Sequence, residues 1–113
     1  MEYSRPFLGK TVKVSIDRKL GSKHPKHDFT YPINYGFIPD TTAPDGAELD
    51  AYVFGVDVPI IEFEGKCIAI IHRLDDDDDK LIVCNENETF SDDQIKKITH
   101  FQEQYFKSEI IRL

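Results

Sequence analysis

The sequence predicts a mainly β fold, a small five-stranded barrel followed by one C-terminal helix, and three observations lead there. Apolar and polar residues alternate at the strand period through most of the chain, clusters of turn-forming residues separate the alternating stretches, and the period lengthens to the helical one only near the end. With 113 residues and 40% apolar content, the chain 1–113 reads as a single domain with one core.

The elements follow in order. Val12, Val14 and Ile16 alternate with Lys13, Ser15 and Asp17, which predicts a half-buried first strand. Arg18 to Thr30 is basic and turn-like, with Gly21, Ser22 and Pro25, and predicts a surface loop. Tyr31 to Ile38 is rich in aromatic and β-branched residues and predicts a second strand, bent or at an edge because of Pro32 and Gly36. The Pro, Asp, Thr and Gly of Pro39 to Glu48 supply a turn. Leu49 to Val56 and Gly65 to Leu74 are the third and fourth strands, the latter central by its run of Cys67, Ile68, Ala69, Ile70 and Ile71. Asp75 to Asp79 is an acidic turn and Lys80 to Cys84 a fifth strand. Ile95, Ile98, Phe101 and Tyr105 then recur at helical spacing. Ser91 and Gln94 form a capping-box pattern, and Asp92 and Asp93 complement the helix dipole. Five strands and a helix suggest a barrel of the OB type.

Composition narrows the function. With 21 acidic and 14 basic residues the net charge is -7, which argues against nucleic acid as a partner, since phosphate backbones are held by clustered Lys and Arg. The apolar runs are strand-sized, so no membrane partner is expected, and Met1 to Pro6 has no apolar signal core. Cys67 and Cys84 sit in apolar runs without metal-ligand spacing, the setting of reduced thiols, and a cytoplasmic protein is expected. An acidic chain can still act on an anionic substrate when divalent cations lie between carboxylates and substrate oxygens.

The densest candidate chemistry lies in Tyr31 to Phe54. Asp45 and Asp50 flank a turn that Gly46 allows to bend, and together they can converge on one hard cation; the same residues also make an ordinary hairpin turn and a strand-end charge. The run Asp75 to Asp79 is either a solvated turn or part of the same metal site. The basic loop is either simply solvated or brings Lys23 and Lys26 to substrate phosphates, while His24 and His27 could instead hold a softer metal. Arg73, beside the acidic turn, is either a phosphate clamp or a neutralising charge.

The block Tyr31-Pro32-Ile33-Asn34-Tyr35-Gly36-Phe37-Ile38, followed by Asp45-Gly46-Ala47-Glu48-Leu49-Asp50, resembles the strand and signature loop of the soluble inorganic pyrophosphatases. The resemblance implies an OB-type barrel that hydrolyses pyrophosphate with Mg²⁺ as cofactor. It implies Asp45 and Asp50 as metal ligands, Asp50 and Tyr35 as catalytic residues, and Asp75 and Asp79 of the acidic turn as further ligands. Substrate-binding roles fall to Lys80, Tyr35 and Tyr105, the last in His100-Phe101-Gln102-Glu103-Gln104-Tyr105, which is similar to a family helix; Lys23 and Lys26 stand in for a basic hairpin that the chain lacks. A homo-oligomer is an assembly the resemblance leaves open.

Two departures bear on activity. Ala47 replaces the middle signature aspartate, the carboxylate that activates water, and Glu48 beside it would point to the other side of an extended strand. Phe106 follows Tyr105 where the family has lysine. The alternative is a relative that binds metal with phosphate or nucleotide as a sensor or regulator; a third reading is an interaction module whose acidic turn docks a basic partner.

Overall fold

The computed structural model describes residues 3–76 and 78–113. Asp77, one of the acidic run, lies outside the described residues, as do Met1 and Glu2 at the start of the chain. The elements are β1 (Thr11–Arg18), β2 (Asn34–Ile38), β3 (Leu49–Val53), β4 (Glu62–Arg73), β5 (Asp79–Cys84), α1 (Asp92–Glu103) and β6 (Ser108–Ile111), after a short 3-10 turn at Arg5–Phe7. The sheet order is β1-β2-β3-β5-β4-β6, and β4 also pairs with β1. That last pairing, Thr11↔Lys66 to Ser15↔Glu62, closes the first five strands into a barrel and leaves β6 as an outer flap on β4.

Alternation sorts the side chains into two cores. Val12, Val14, Ile16, Leu49, Ala51, Val53, Leu81 and Val83 fill the barrel interior. Tyr52, Phe54, Ile71, Ile82 and Cys84 face outward and are covered by Ile95, Ile98 and Phe101 of α1. The five-stranded barrel with one helix is therefore the observed fold. The helix starts where the capping box puts it: Gln94 N donates to Ser91 Oγ at 3.2 Å and Ser91 N to Gln94 Oε1 at 2.8 Å.

Three local features set up the functional face. All pairings are antiparallel except β3 with β5, whose parallel register sets Asp50 beside Lys80. In β1, the register with β2 slips between Ile16 and Arg18, so Asp17 is the extra residue of a bulge and Arg18 pairs with Tyr35. This slip turns two consecutive side chains toward one cavity. β2 passes β1 so closely that a Cβ on Gly36 would lie 1.9 Å from the Ser15 carbonyl oxygen, which is why only glycine fits there.

Element boundaries differ from the sequence expectation in several places, β4 among them, which begins at Glu62 rather than Gly65. β2 begins at Asn34 rather than Tyr31; the segment before it carries Pro32, which cannot donate to a ladder, and Asn34 instead turns its buried amide to Leu20 N at 2.9 Å and the Val58 carbonyl at 2.9 Å. β3 ends at Val53, before Gly55 with its φ of 82°. The helix ends at Glu103 instead of continuing through Tyr105, and the chain returns as β6 along β4.

Candidate active site

A charged constellation lies on the outer face of the barrel, beside the C-terminal end of α1. A cavity of about 480 Å³ is lined by Asp17 and Arg18 of β1, Tyr35 of β2, Asp50 of β3, Lys80 of β5 and Arg73 of β4. The rest of the lining comes from His24 and His27 of the basic loop, Tyr31 just after it, Gln102 of α1, and Tyr105 and Phe106 beyond the helix.

Lys80 is the hub of the barrel wall. Its ammonium donates to Asp50 Oδ2 and, at 2.9 Å, to Asp78 Oδ2. Burial pulls its pKa down, but Asp50 and Asp78 outweigh burial and hold it above the usual lysine value, so it is charged throughout the physiological range. Burial, reinforced by the Asp50 charge, raises the Tyr35 phenol well above its ordinary range, so Tyr35 remains a neutral donor. Asp17 is raised as well, by burial, with Arg18 opposing.

Arg73 closes the floor through a buried network. Its Nε and Nη2 donate to the two Glu103 oxygens at 3.0 and 2.8 Å, and Nη1 lies 3.4 Å from Asp78 Oδ2 and 3.6 Å from Asp76 Oδ2. Its guanidinium carbon sits 3.6 Å from the centroid of the Phe106 ring. Glu103 lies at a helix C-terminus, where the dipole disfavours negative charge, and Arg73 compensates it. Burial lowers the Arg73 pKa, yet the Glu103 hydrogen bonds and charge raise it on balance. Tyr52 OH donates to Glu103 Oε2 at 2.6 Å, Gln102 Nε2 donates to Tyr52 OH at 2.7 Å, and Tyr31 OH donates to Gln102 Oε1 at 3.0 Å. This chain of bonds ties the helix end to both walls of the cavity.

Of the residues singled out in the sequence, Asp50, Tyr35, Lys80 and Tyr105 come together in this cavity. Asp45 lies in an adjoining cavity of about 230 Å³ with Pro44, Asp76 and Asp78, and its Oδ1 accepts from Ala47 N at 3.0 Å. The acidic turn thus does face the Asp45 loop. Among the described residues, however, the aspartates of that turn that share the cavity with Asp45 are Asp76 and Asp78, and not Asp75 and Asp79. Asp75 is exposed and accepts from Lys107 N at 3.3 Å. Asp79 is fully buried on the other face of β5, where it accepts from Ser4 Oγ and lies 2.7 Å from His72 Nδ1. Strand alternation explains the exchange, because residues next to each other in β5 point to opposite faces and Lys80 takes the cavity side.

In the basic loop the lysines are solvated and the histidines line the cavity. Lys23 is exposed, with its ammonium 3.8 Å from Asp28, and Lys26 is exposed too; neither lines the cavity, whereas His24 and His27 do. His24 Nδ1 accepts from Lys26 N at 3.0 Å and His27 N at 3.1 Å, which leaves the ring proton on Nε2. Burial, then the charges of His27, Arg18 and Lys26, lowers its pKa and keeps it neutral. Arg18 and Asp17 escaped the sequence reading because the bulge that aims them both is invisible to alternation. Arg73 pairs with Asp76 and Asp78 of the acidic turn, as a neutralising charge would, and it also lines the cavity.

A family model for inorganic pyrophosphatase matches residues 6–111. The chain belongs to the inorganic pyrophosphatase family. It is 34% identical over 112 residues to the inorganic pyrophosphatase of Saccharolobus solfataricus, covering 85% of this chain and 62% of that protein. It is 32% identical over 119 residues to soluble inorganic pyrophosphatase 2 of Chlamydomonas reinhardtii, covering 89% of this chain and 62% of the relative. The chain therefore spans less than two thirds of the length of these relatives. The fold is that of the inorganic pyrophosphatases of Helicobacter pylori (TM-score 0.70, 21% identity, 90% of this chain and 84% of the other) and Ehrlichia chaffeensis (TM-score 0.69, 22% identity, 90% and 85%).

Proposed function

We propose that the chain hydrolyses a phosphoanhydride, inorganic pyrophosphate in the first instance, with Mg²⁺ as its metal. The observation that carries this reading is the contact of the Lys80 ammonium with both Asp50 and Asp78, in a cavity that also presents Arg18 and Arg73, within a chain of the pyrophosphatase family.

The donors suit a hard divalent cation in kind, since they are carboxylate oxygens and two of them already converge on a positive group. Among the described residues no three metal-binding side chains converge on one point. Asp50 with Asp78, and Asp45 with Asp76 across the adjoining cavity, are the pairs that would hold the ion, with water and substrate oxygens as the remaining ligands. Mg²⁺ bound there supplies neutralisation of phosphate charge and a lowered pKa for bound water. The chain's own cations, Arg18, Arg73 and Lys80, hold the phosphoryl oxygens, and Arg73 is kept in place by Glu103. Tyr35 donates a hydrogen bond as a neutral phenol, and Tyr105 borders the open side.

Ala47 has no group to take a proton from water, and Glu48 is exposed and outside the cavity lining. Asp17 is the remaining carboxylate of the lining besides Asp50, and we assign it that proton. Ala47 is also the observation that favours the second reading, a relative that binds metal and phosphate without turnover. The buried free thiols Cys67 and Cys84 support a reducing, cytoplasmic setting, and among the described residues no helix is long and apolar enough to cross a membrane.

Orthophosphate release from Mg²⁺-pyrophosphate, compared between the wild-type protein and Asp50→Asn, tests the reading. Release that the substitution abolishes supports the hydrolase. Folded wild-type protein that binds pyrophosphate and Mg²⁺ but releases nothing leaves the binding protein.

A further inference from the structure

The cavity has two chemically different walls. The barrel side is ionic, with Asp17, Arg18, Asp50, Arg73 and Lys80, and the loop side is built of rings. His27 stacks on Tyr105 with centroids 5.3 Å apart and planes 13° apart, and His24 stacks on Tyr31 at 5.9 Å and 18°. Phe29 packs against His24 at 4.9 Å and edge-on to Phe101 of α1 at 5.5 Å, so the loop rings are anchored to the helix. Phe106 extends the ring wall, lying against the Arg73 guanidinium.

Bare pyrophosphate has a use for the polar atoms of such a wall, the Tyr105 hydroxyl among them, but none for its ring faces. It is small, heavily charged and hydrated, and the negative face of a ring repels an anion. The lysines that could have made the loop a second phosphate wall, Lys23 and Lys26, are outside the lining. His24 is neutral and saturated at Nδ1 by two backbone amides, so it offers a flat surface and no positive charge. Tyr105 is 56% exposed at the rim, a large ring left open beside a charged cavity. At about 480 Å³, the space falls in the range of pockets that take up organic ligands of nucleotide size.

We infer that this site takes a phosphoanhydride bearing a flat ring, of the nucleoside diphosphate or triphosphate class, with the anhydride on the ionic wall and the base against the rings of His27 and Tyr105. The inference rests on the phosphoanhydride reading above and names its substrate class. The step is a hydrolysis: water adds to the terminal phosphorus, the bond from that phosphorus to the bridging oxygen breaks, and the bridging oxygen leaves on the nucleoside phosphate. One water proton passes to Asp17, and the products are orthophosphate and the shortened nucleotide.

The test compares ADP with ribose 5-diphosphate, which carries the same anhydride without the base, and with pyrophosphate, all with Mg²⁺. Base stacking on aromatic side chains corresponds to roughly a five- to hundredfold preference in kcat/KM for ADP over ribose 5-diphosphate. His27→Ala is expected to collapse that ratio by at least about fivefold, and His27→Phe, which restores a flat ring, to keep most of it. Equal rates on the two diphosphates, or a ratio indifferent to His27→Ala, overturn the inference; if pyrophosphate is still hydrolysed, the reading of the preceding section stands. If no compound releases phosphate, hydrolysis itself has failed, and calorimetric binding decides the substrate class. Tighter binding of ADP than of ribose 5-diphosphate then upholds ring recognition, and equal binding refutes it.

Discussion

Removing Arg73 should cost the fold more than removing its charge partner. Arg73 is 6% exposed and its guanidinium donates twice to Glu103, itself 7% exposed. In Arg73→Met the Glu103 carboxylate keeps the Tyr52 hydroxyl as a donor but loses its counter-charge, at a helix end whose dipole is already unfavourable. Stranding one member of a buried ion pair costs about 3–5 kcal/mol. For a domain of this size that corresponds to a fall in Tm of roughly 10–25 °C. Glu103→Gln retains an acceptor oxygen, and its former partner still has Asp76, Asp78 and the Phe106 ring, so the loss there should be about 1–2 kcal/mol. The double variant Arg73→Met, Glu103→Gln should recover most of the stability lost in Arg73→Met, because no charge remains stranded. Urea unfolding of the four proteins, followed by far-UV circular dichroism, measures the cycle. A loss below about 1 kcal/mol in Arg73→Met, or additive losses in the double variant, would refute the network as the structure presents it.

Gly36→Ala would place a methyl group against the Ser15 carbonyl, which belongs to the backbone and cannot swing away. The expected result is separation of β1 from β2 and a loss of at least about 2–3 kcal/mol, read from the same urea transitions. An unchanged midpoint would contradict the β1–β2 register. Tyr35 and Tyr52 are held protonated above the ordinary phenol range, by burial and then by Asp50 and Glu103 respectively. The unfolded chain releases those protons from about pH 10, so stability is intact below that pH and falls as pH rises above it. Absorbance at 295 nm should show part of the tyrosine signal delayed until the protein unfolds; simultaneous titration of all five tyrosines would exclude the burial described.

The barrel was legible because its strands obey one rule. Val12, Val14 and Ile16, or Leu49, Ala51 and Val53, need only face one way for alternation to reveal them. β6 was not legible: Ser108–Ile111 is four residues on a sheet edge, too short for a period, and the helical spacing of Tyr105 with Phe101 masked the helix end. The site divides along the same line. Asp50 and Lys80 were readable from the family motif and meet through the parallel β3–β5 pair. Which aspartate of a run of five would join them depends on strand facing, and that is fixed only when Lys80 enters the sheet. Arg18 was hidden by the bulge, where a single unpaired residue shifts the phase of β1. By charge the loop could be a lysine wall or merely solvated, and what charge could not show is that packing of Phe29 against His24 and Phe101 brings its rings to the cavity and leaves its lysines outside.

The parallel pairing of β3 with β5 has a kinetic corollary. Asp50 and Lys80 are 30 residues apart in the chain, and the whole β4 excursion must be laid down before they become neighbours. Contacts of that separation form late, after loop-closure entropy has been overcome, so no hairpin taken alone contains the charge pair. Ligand affinity and barrel closure are consequently one cooperative event, and an anion bound at a hundred times its Kd would raise the resistance of the whole barrel to unfolding by about 2.7 kcal/mol.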